Sequence, residues 1–340
     1  MTRRLVVDLA AGRALWRIPD RAAAAIAAAA SGWEVIRVDA PAVSDGDGGA
    51  GSPAAVRAAT GAEVYLGFGV PEGVRVASRG TLRWAHTATA GVSPSLAALR
   101  GQGITVTNSA GVHAEPMADW VLAAIGYFAR GLDVAIRAQG ERRWAKDEFT
   151  DGSVVPFELR DLRVGIFGLG GIGAAVARRG LALGMRVAGV RRRPDQGGPA
   201  GVLWVGGLGE LDRLAGESDV LVITAPRTRE TEGAVSARIL GRLPAGALVV
   251  NVSRGGILDE AALLEALGRG LRGAALDVFA AEPLPPEHPL WRHPRVLISP
   301  HVSAVTRGFW DRELALILDN LGRYLGGRPL TNVVDLEAGY

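Results

Sequence analysis

Short apolar runs alternate with amphipathic stretches along the first hundred residues, a pattern that predicts a parallel sheet with helical crossovers. Strands are expected at 5–7, 35–38, 64–66, 82–86 and 104–107, where apolar residues cluster in short runs. One of the intervening helices follows Pro19, uses the alanine-rich stretch 22–30 and stops at Gly32. The segment 44–53, SDGDGGAGSP, is too polar and glycine-rich to bury and reads as a surface loop. From His113 onward Met117, Val121, Ala124, Ile125, Phe128 and Leu132 recur at helical spacing and predict one long helix bridging two domains.

A second α/β unit follows. It opens with LRVGIFGLGGIG at 162–173, a buried strand turning through glycines into a helix along 174–183, with Gly184 as its cap and a further strand at 185–190. Gly168 permits the tight turn, Gly170 lets backbone N–H groups approach a pyrophosphate, and Gly173 lets the helix pack closely on its strand. Strand, glycine turn, helix and strand in that order are a dinucleotide-binding signature. Further strands are expected at 220–224, 247–251 and 273–276. A last helix from about Thr306 carries Phe309, Trp310, Leu314, Ile317, Leu318, Leu321 and Tyr324 on one face.

Composition narrows the class. A chain of 340 residues, 48% hydrophobic and 21% charged, suits a soluble enzyme of two α/β domains. The sequence pI near 9.7 accompanies a net charge of only +3, and of the 38 cationic residues Lys146 alone is lysine. No nucleic-acid footprint follows from an arginine bias of that kind. With no cysteine the chain fits a reducing compartment, and a cytoplasmic location is expected. Asp8 interrupts any secretory apolar core and no run reaches membrane-spanning length, so no membrane partner is expected. Asp, Glu and His do not cluster at ligand spacing, and no metal site is expected.

Three segments stand out beyond the glycine turn, and each follows a strand: NVSRGG at 251–256, LDVFAAEPL at 276–284 and ISPHVS at 298–303. Active sites of doubly wound sheets lie at the carboxyl ends of strands, so Arg254, Glu282 and His301 are candidates to converge there. An arginine, a carboxylate and a histidine are the parts needed to reduce a carbonyl next to a carboxylate.

On these motifs, in this order and at about this spacing, the chain resembles the D-isomer-specific 2-hydroxyacid dehydrogenase family over nearly its whole length. The Asn332-Val-Val-Asp335 ending and the final Gly339-Tyr340 are similar to a glyoxylate and hydroxypyruvate reductase-like branch. The resemblance implies hydride transfer between nicotinamide and C2 of a small 2-oxo or 2-hydroxy acid. It assigns His301 as the proton donor or acceptor, Glu282 as its orienting carboxylate, and Arg254 as the grip on the substrate carboxylate and carbonyl. Backbone N–H groups of Ala90 and Gly91, in the loop TATAGVS at 87–93, are the implied substrate-carboxylate site. Implied cofactor contacts are Gly171 and Ile172, Pro226 and Thr231, Val252 and Ser253, Asp277 at the carboxamide, and Ser303. The sequence departs from the family at Ser93, Ala110 and Val121, where aspartate, proline and often threonine are usual.

NAD-specific members carry an acidic residue at the end of the second strand of the cofactor domain. Here that place reads Arg191, Arg192, Arg193, which favours the 2′-phosphate of NADP over NAD, with arginine-rich composition as the competing explanation. The expected architecture is α/β, with two doubly wound parallel-sheet domains: a Rossmann cofactor domain at 113–299 inserted into a flavodoxin-like substrate domain of 1–112 and 300–340. A homodimer through the helix beginning near His113 is expected. Alternatives on the same fold are a dinucleotide-sensing corepressor or scaffold, and a phosphite dehydrogenase-like oxidoreductase; formate dehydrogenases have glutamine where Glu282 stands.

Overall fold

The computed structural model describes residues 3–41, 49–91 and 94–336. Ser93, residues 44–48 of the glycine-rich loop and the final Gly-Tyr pair lie outside the described residues. The chain divides into two units, Met1–His113 with Val305–Tyr340, and Ala114–Ala304. No helix among the described residues is long and apolar enough to cross a membrane.

The first unit is a five-stranded parallel sheet of β1 (Arg4–Asp8), β2 (Glu34–Arg37), β3 (Val64–Gly67), β4 (Trp84–Thr87) and β5 (Thr105–Asn108) in the order 2-1-3-4-5. That is the flavodoxin-like order. Along β1, Leu5 and Val7 face one apolar cluster and Val6 the other, so both faces are covered. The helices Asp20–Ala29 and Phe309–Leu325 cover the first face, the second helix through Phe309, Trp310, Ile317 and Leu321. Near the C-terminus, Thr107 of β5 bridges antiparallel to Val333, and the Val334 N–H donates to the Val106 carbonyl at 2.8 Å.

The second unit holds a seven-stranded parallel sheet: β6 (Arg163–Phe167), β7 (Arg186–Val190), β8 (Val205–Gly206), β9 (Val220–Ile223), β10 (Leu248–Asn251), β11 (Gly273–Leu276) and β12 (Val296–Ile298). Their order, 12-11-10-9-6-7-8, is the dinucleotide-binding order 3-2-1-4-5-6 with one strand added. In β9, Val220 and Val222 face one cluster while Leu221 and Ile223 face the other.

Two of the boundaries that differ from the sequence reading have a visible cause. The long helix ends at Ala129, and Leu132 opens a second helix, Leu132–Gly140. Gly131 separates them at φ +69, where an added Cβ would fall 2.6 Å from the Phe149 ring. Residues 300–304 group with the second unit, because Asp277 binds the backbone of that segment.

Candidate active site

In the second unit the loops after β6, β10, β11 and β12 carry the residues singled out above. Gly168, directly after β6, has φ +107, and an added Cβ would fall 2.2 Å from the Ala225 nitrogen. At Gly173 an added Cβ would fall 2.4 Å from the Gly168 carbonyl oxygen, so the helix Gly171–Ala182 reaches its strand only with glycine there. Around Gly170, by contrast, no other part of the protein among the described residues comes within 4 Å of an added Cβ. Two glycines serve the packing, and the third keeps clear the space before a helix N-terminus that a pyrophosphate requires. These residues fit a bound dinucleotide. Gly171 opens the helix, Ile172 packs against the core beneath it, and Thr224 Oγ1 steadies the turn by donating to the Gly168 carbonyl at 2.8 Å.

The three arginines after β7 are not equivalent. Arg191 donates to the Gly197 carbonyl at 2.8 Å and to Gln196 Oε1 at 2.5 Å, which folds its own loop. Arg192 and Arg193 are exposed, and the Arg193 guanidinium meets no carboxylate among the described residues. After β9, Thr231 Oγ1 donates to the Pro226 carbonyl at 2.6 Å and lies 2.8 Å from the Thr228 nitrogen, closing that loop.

After β10, Asn251 Oδ1 accepts both the N–H and the hydroxyl of Ser253 at 3.1 Å, a local turn that buries Val252 and Ser253 and leaves Arg254 exposed. The Arg254 guanidinium donates to the Ser253 carbonyl at 2.7 Å. Partial desolvation lowers its pKa, and the charge of Glu282 acts the other way. Arginine remains charged at neutral pH after a shift of that kind. Gly255 packs directly on the next loop: an added Cβ would fall 1.8 Å from the Phe279 carbonyl carbon.

Asp277, just after β11, is wholly buried. Its carboxylate accepts the Ser299 hydroxyl and the Val302 N–H on one oxygen and the Ser303 N–H on the other, the last at 3.0 Å. Its carbonyl accepts the His301 N–H at 2.9 Å. These ties hold His301 at φ +54, a left-handed conformation that costs a non-glycine residue about 1–2 kcal/mol. The His301 Nδ1 lies 2.7 Å from Glu282 Oε2, and Glu282 Oε1 accepts the Phe279 N–H at 2.9 Å. With side chains 50% and 36% exposed, the pair is open to a ligand, and Nε2 is the ring nitrogen left to meet it.

Ala90 and Gly91 lie in the first unit, in the loop after β4. The carbonyl of Ala90 accepts from Asn108 Nδ2 at 2.9 Å and that of Gly91 from Thr89 Oγ1 at 3.3 Å, while their N–H groups donate to nothing among the described residues.

The second unit thus gathers Arg254, Glu282, His301, Asp277, Ser253 and Ser303 at its strand ends. Sequence reasoning assigned no role to Asn251, Gly255 or Thr224. The motif SRGG carried a signal for Gly255, but the neighbour that makes a side chain impossible there, Phe279, lies far along the chain.

Residues 122–303 match the family model described as D-isomer specific 2-hydroxyacid dehydrogenase, NAD binding domain. A glyoxylate reductase of Korarchaeum cryptofilum is 35% identical over 239 residues, 69% of this chain and 70% of that one. Among solved structures, a D-isomer specific 2-hydroxyacid dehydrogenase from Xanthobacter autotrophicus Py2, in complex with NADPH and MES, is similar over 100% of both chains at 31% identity and TM-score 0.78. An NADPH-dependent glyoxylate/hydroxypyruvate reductase from Sinorhizobium meliloti, in complex with NADP and sulfate, is similar over 100% of both chains at 27% identity and TM-score 0.74.

Proposed function

Because the chain belongs to the D-isomer specific 2-hydroxyacid dehydrogenases, a family of NAD(P)-dependent oxidoreductases, we propose that it reduces small 2-oxo acids of the glyoxylate or hydroxypyruvate type and prefers NADP to NAD. The observation that carries this reading is the His301–Glu282 pair at 2.7 Å, with an exposed Arg254 within reach of the Glu282 charge. When bound, the nicotinamide supplies hydride to C2 or takes it back. Glu282 engages Nδ1, so that Nε2 delivers a proton to the carbonyl oxygen or removes one from the hydroxyl. Arg254 presents a planar fork that fits a carboxylate and an adjacent carbonyl, a geometry lysine does not offer. Ala90 and Gly91 have backbone N–H groups available for a carboxylate, and Val252, Ser253, Asp277 and Ser303 are assigned to the nicotinamide end. Gly168, Gly170, Gly171, Ile172 and Gly173 are assigned to the pyrophosphate, and Pro226 and Thr231 to the border of the dinucleotide. The test is loss of reduced-nicotinamide absorbance with NADPH and NADH against glyoxylate, hydroxypyruvate, pyruvate, phenylpyruvate and 2-oxoisocaproate. Turnover of none of these, with a cofactor that binds tightly, sinks the reading.

For the cofactor preference, Arg192 and Arg193 are assigned to the 2′-phosphate and Arg191 to holding their loop. Each charge-assisted bond lost is worth about 1.5–3 kcal/mol. The double replacement Arg192→Ala with Arg193→Ala is therefore expected to lower kcat/KM for NADPH by at least about ten- to a hundredfold and to leave that for NADH unchanged. An unchanged NADPH-to-NADH ratio removes these arginines from selection.

The homodimer is assigned to the region of the helix Ala114–Ala129 and the segment after it. One face of that helix is buried within its own unit, and Leu132, Ile136, Trp144 and Val155 follow as exposed apolar side chains, Trp144 at 91%. Light scattering is expected to give twice the 35.4 kDa chain mass, and a Trp144→Glu variant a larger monomer fraction. A monomer at micromolar concentration contradicts the assignment.

A further inference from the structure

Glu260 takes no part in the chemistry above, yet it touches the loop that carries Glu282. It opens the helix Glu260–Gly268, shortly after Arg254, and its side chain is only 12% exposed. One carboxylate oxygen accepts the Ala280 N–H at 2.7 Å, and the other lies 3.4 Å from His288 Nε2. Because His288 Nδ1 accepts the Leu290 N–H at 3.4 Å, the neutral ring carries its proton on Nε2, the nitrogen that faces Glu260. The adjacent amide, Phe279 N–H, holds Glu282 Oε1 at 2.9 Å, and Glu282 Oε2 holds His301. The bare backbone of Gly255 presses on the peptide between Phe279 and Ala280. Two successive N–H groups of one short loop are therefore fixed by two carboxylates, one facing the catalytic histidine and the other on the helix that follows the Arg254 loop.

We propose that Glu260 is a positioning residue: by holding the Ala280 N–H it fixes the 279–282 loop, and so keeps Glu282 against His301 Nδ1 in register with Arg254. The inference rests on the reductase reading. Glu260 serves as an acceptor at the right place, and it acts through Glu282 alone.

Steady-state kinetics of the full-length protein test it. Glu260→Ala is expected to lower kcat by about 10- to 100-fold, the scale set by misplacing a catalytic group by an ångström or less, while KM for the nicotinamide cofactor stays unchanged. Glu260→Gln, whose amide oxygen still accepts the Ala280 N–H, keeps most of the rate. Should Glu260→Ala fail to fold, Glu260→Asp, which withdraws the carboxylate by one methylene, carries the same expectation as the alanine variant. In a Glu282→Gln background the Glu260→Ala loss is expected to vanish, because the group it positions is already gone. A loss that multiplies in that background, or one equally large in Glu260→Gln, overturns the proposal. Two-bond 15N–1H correlations of the His301 ring, assigned with His301→Asn, need no turnover. They are expected to report one tautomer in the parent and in Glu260→Gln and a redistribution in Glu260→Ala; an unchanged ring in Glu260→Ala overturns the proposal. A parent that reduces no 2-oxo acid sinks the reductase reading, and the ring correlations then decide the positioning role by themselves.

Discussion

Replacing His301 by asparagine is expected to lower kcat by about 10²- to 10⁴-fold, the contribution of a positioned acid or base, while the melting temperature stays at or above that of the parent. The two effects separate because the residue does two things. Its ring is the proposed proton carrier, with Nδ1 2.7 Å from Glu282 Oε2. Its backbone sits at φ +54, a conformation asparagine adopts more readily than most side chains. The lost ring buries little, and Glu282, already 36% exposed, regains water in place of its partner. His301→Ala, which has no side-chain group to bond locally, is expected to be the less stable variant. Thermal unfolding and steady-state rates on the two variants check both parts, and an asparagine variant with the parent's kcat takes the acid–base role away from His301.

Gly255→Ala is expected to damage both fold and activity. A Cβ placed 1.8 Å from the Phe279 carbonyl carbon cannot be relieved by a rotamer change, because what it meets is backbone. Nor is that backbone free to withdraw, since Phe279 and Ala280 are tied through their N–H groups to Glu282 and Glu260. A forced separation of the two loops is expected to cost about 4 kcal/mol or more, at the upper end for overpacking against fixed structure. For a unit of this size that lowers the melting temperature by about 8–16 °C. Activity falls as well, because the clash lies between the loops of Arg254 and Glu282. Gly170→Ala is the control: nothing else among the described residues is within 4 Å of the new methyl group, so the fold should be untouched and only dinucleotide affinity should drop. A Gly255→Ala protein that melts with the parent shows that the loops can part without loss.

What the sequence made legible is whatever is encoded over short distances. The apolar quartet Val-Leu-Val-Ile at 220–223 has no polar residue to interrupt it, which is how a strand buried on both faces must look. The glycine turn and the Arg254, Glu282 and His301 segments stood out because each lies within a few residues of a strand end. The rest depends on distant residues. Gly131 sits inside an otherwise continuous helical pattern, and only the packing of Phe149 and Val154 against it shows why the helix stops. The two-residue β8 is too short to carry a periodic signal, and it pairs with β7 across a loop folded by Arg191. Residues 300–304 are tied to the second unit at Asp277, by its buried carboxylate and its carbonyl, and at Glu282, contacts that no local pattern announces.

The chain order of the two units also dictates a sequence of events during synthesis. The unit Ala114–Ala304 is contiguous, whereas the other draws on both sides of it. Every residue of the inserted unit has therefore been made before the helix Phe309–Leu325 exists to cover Leu5, Val7, Leu66 and Trp84. A nascent chain halted after residue 304 holds all of its dinucleotide-binding unit and a sheet with one apolar face covered only by the helix Asp20–Ala29, the form of this protein most in need of a chaperone.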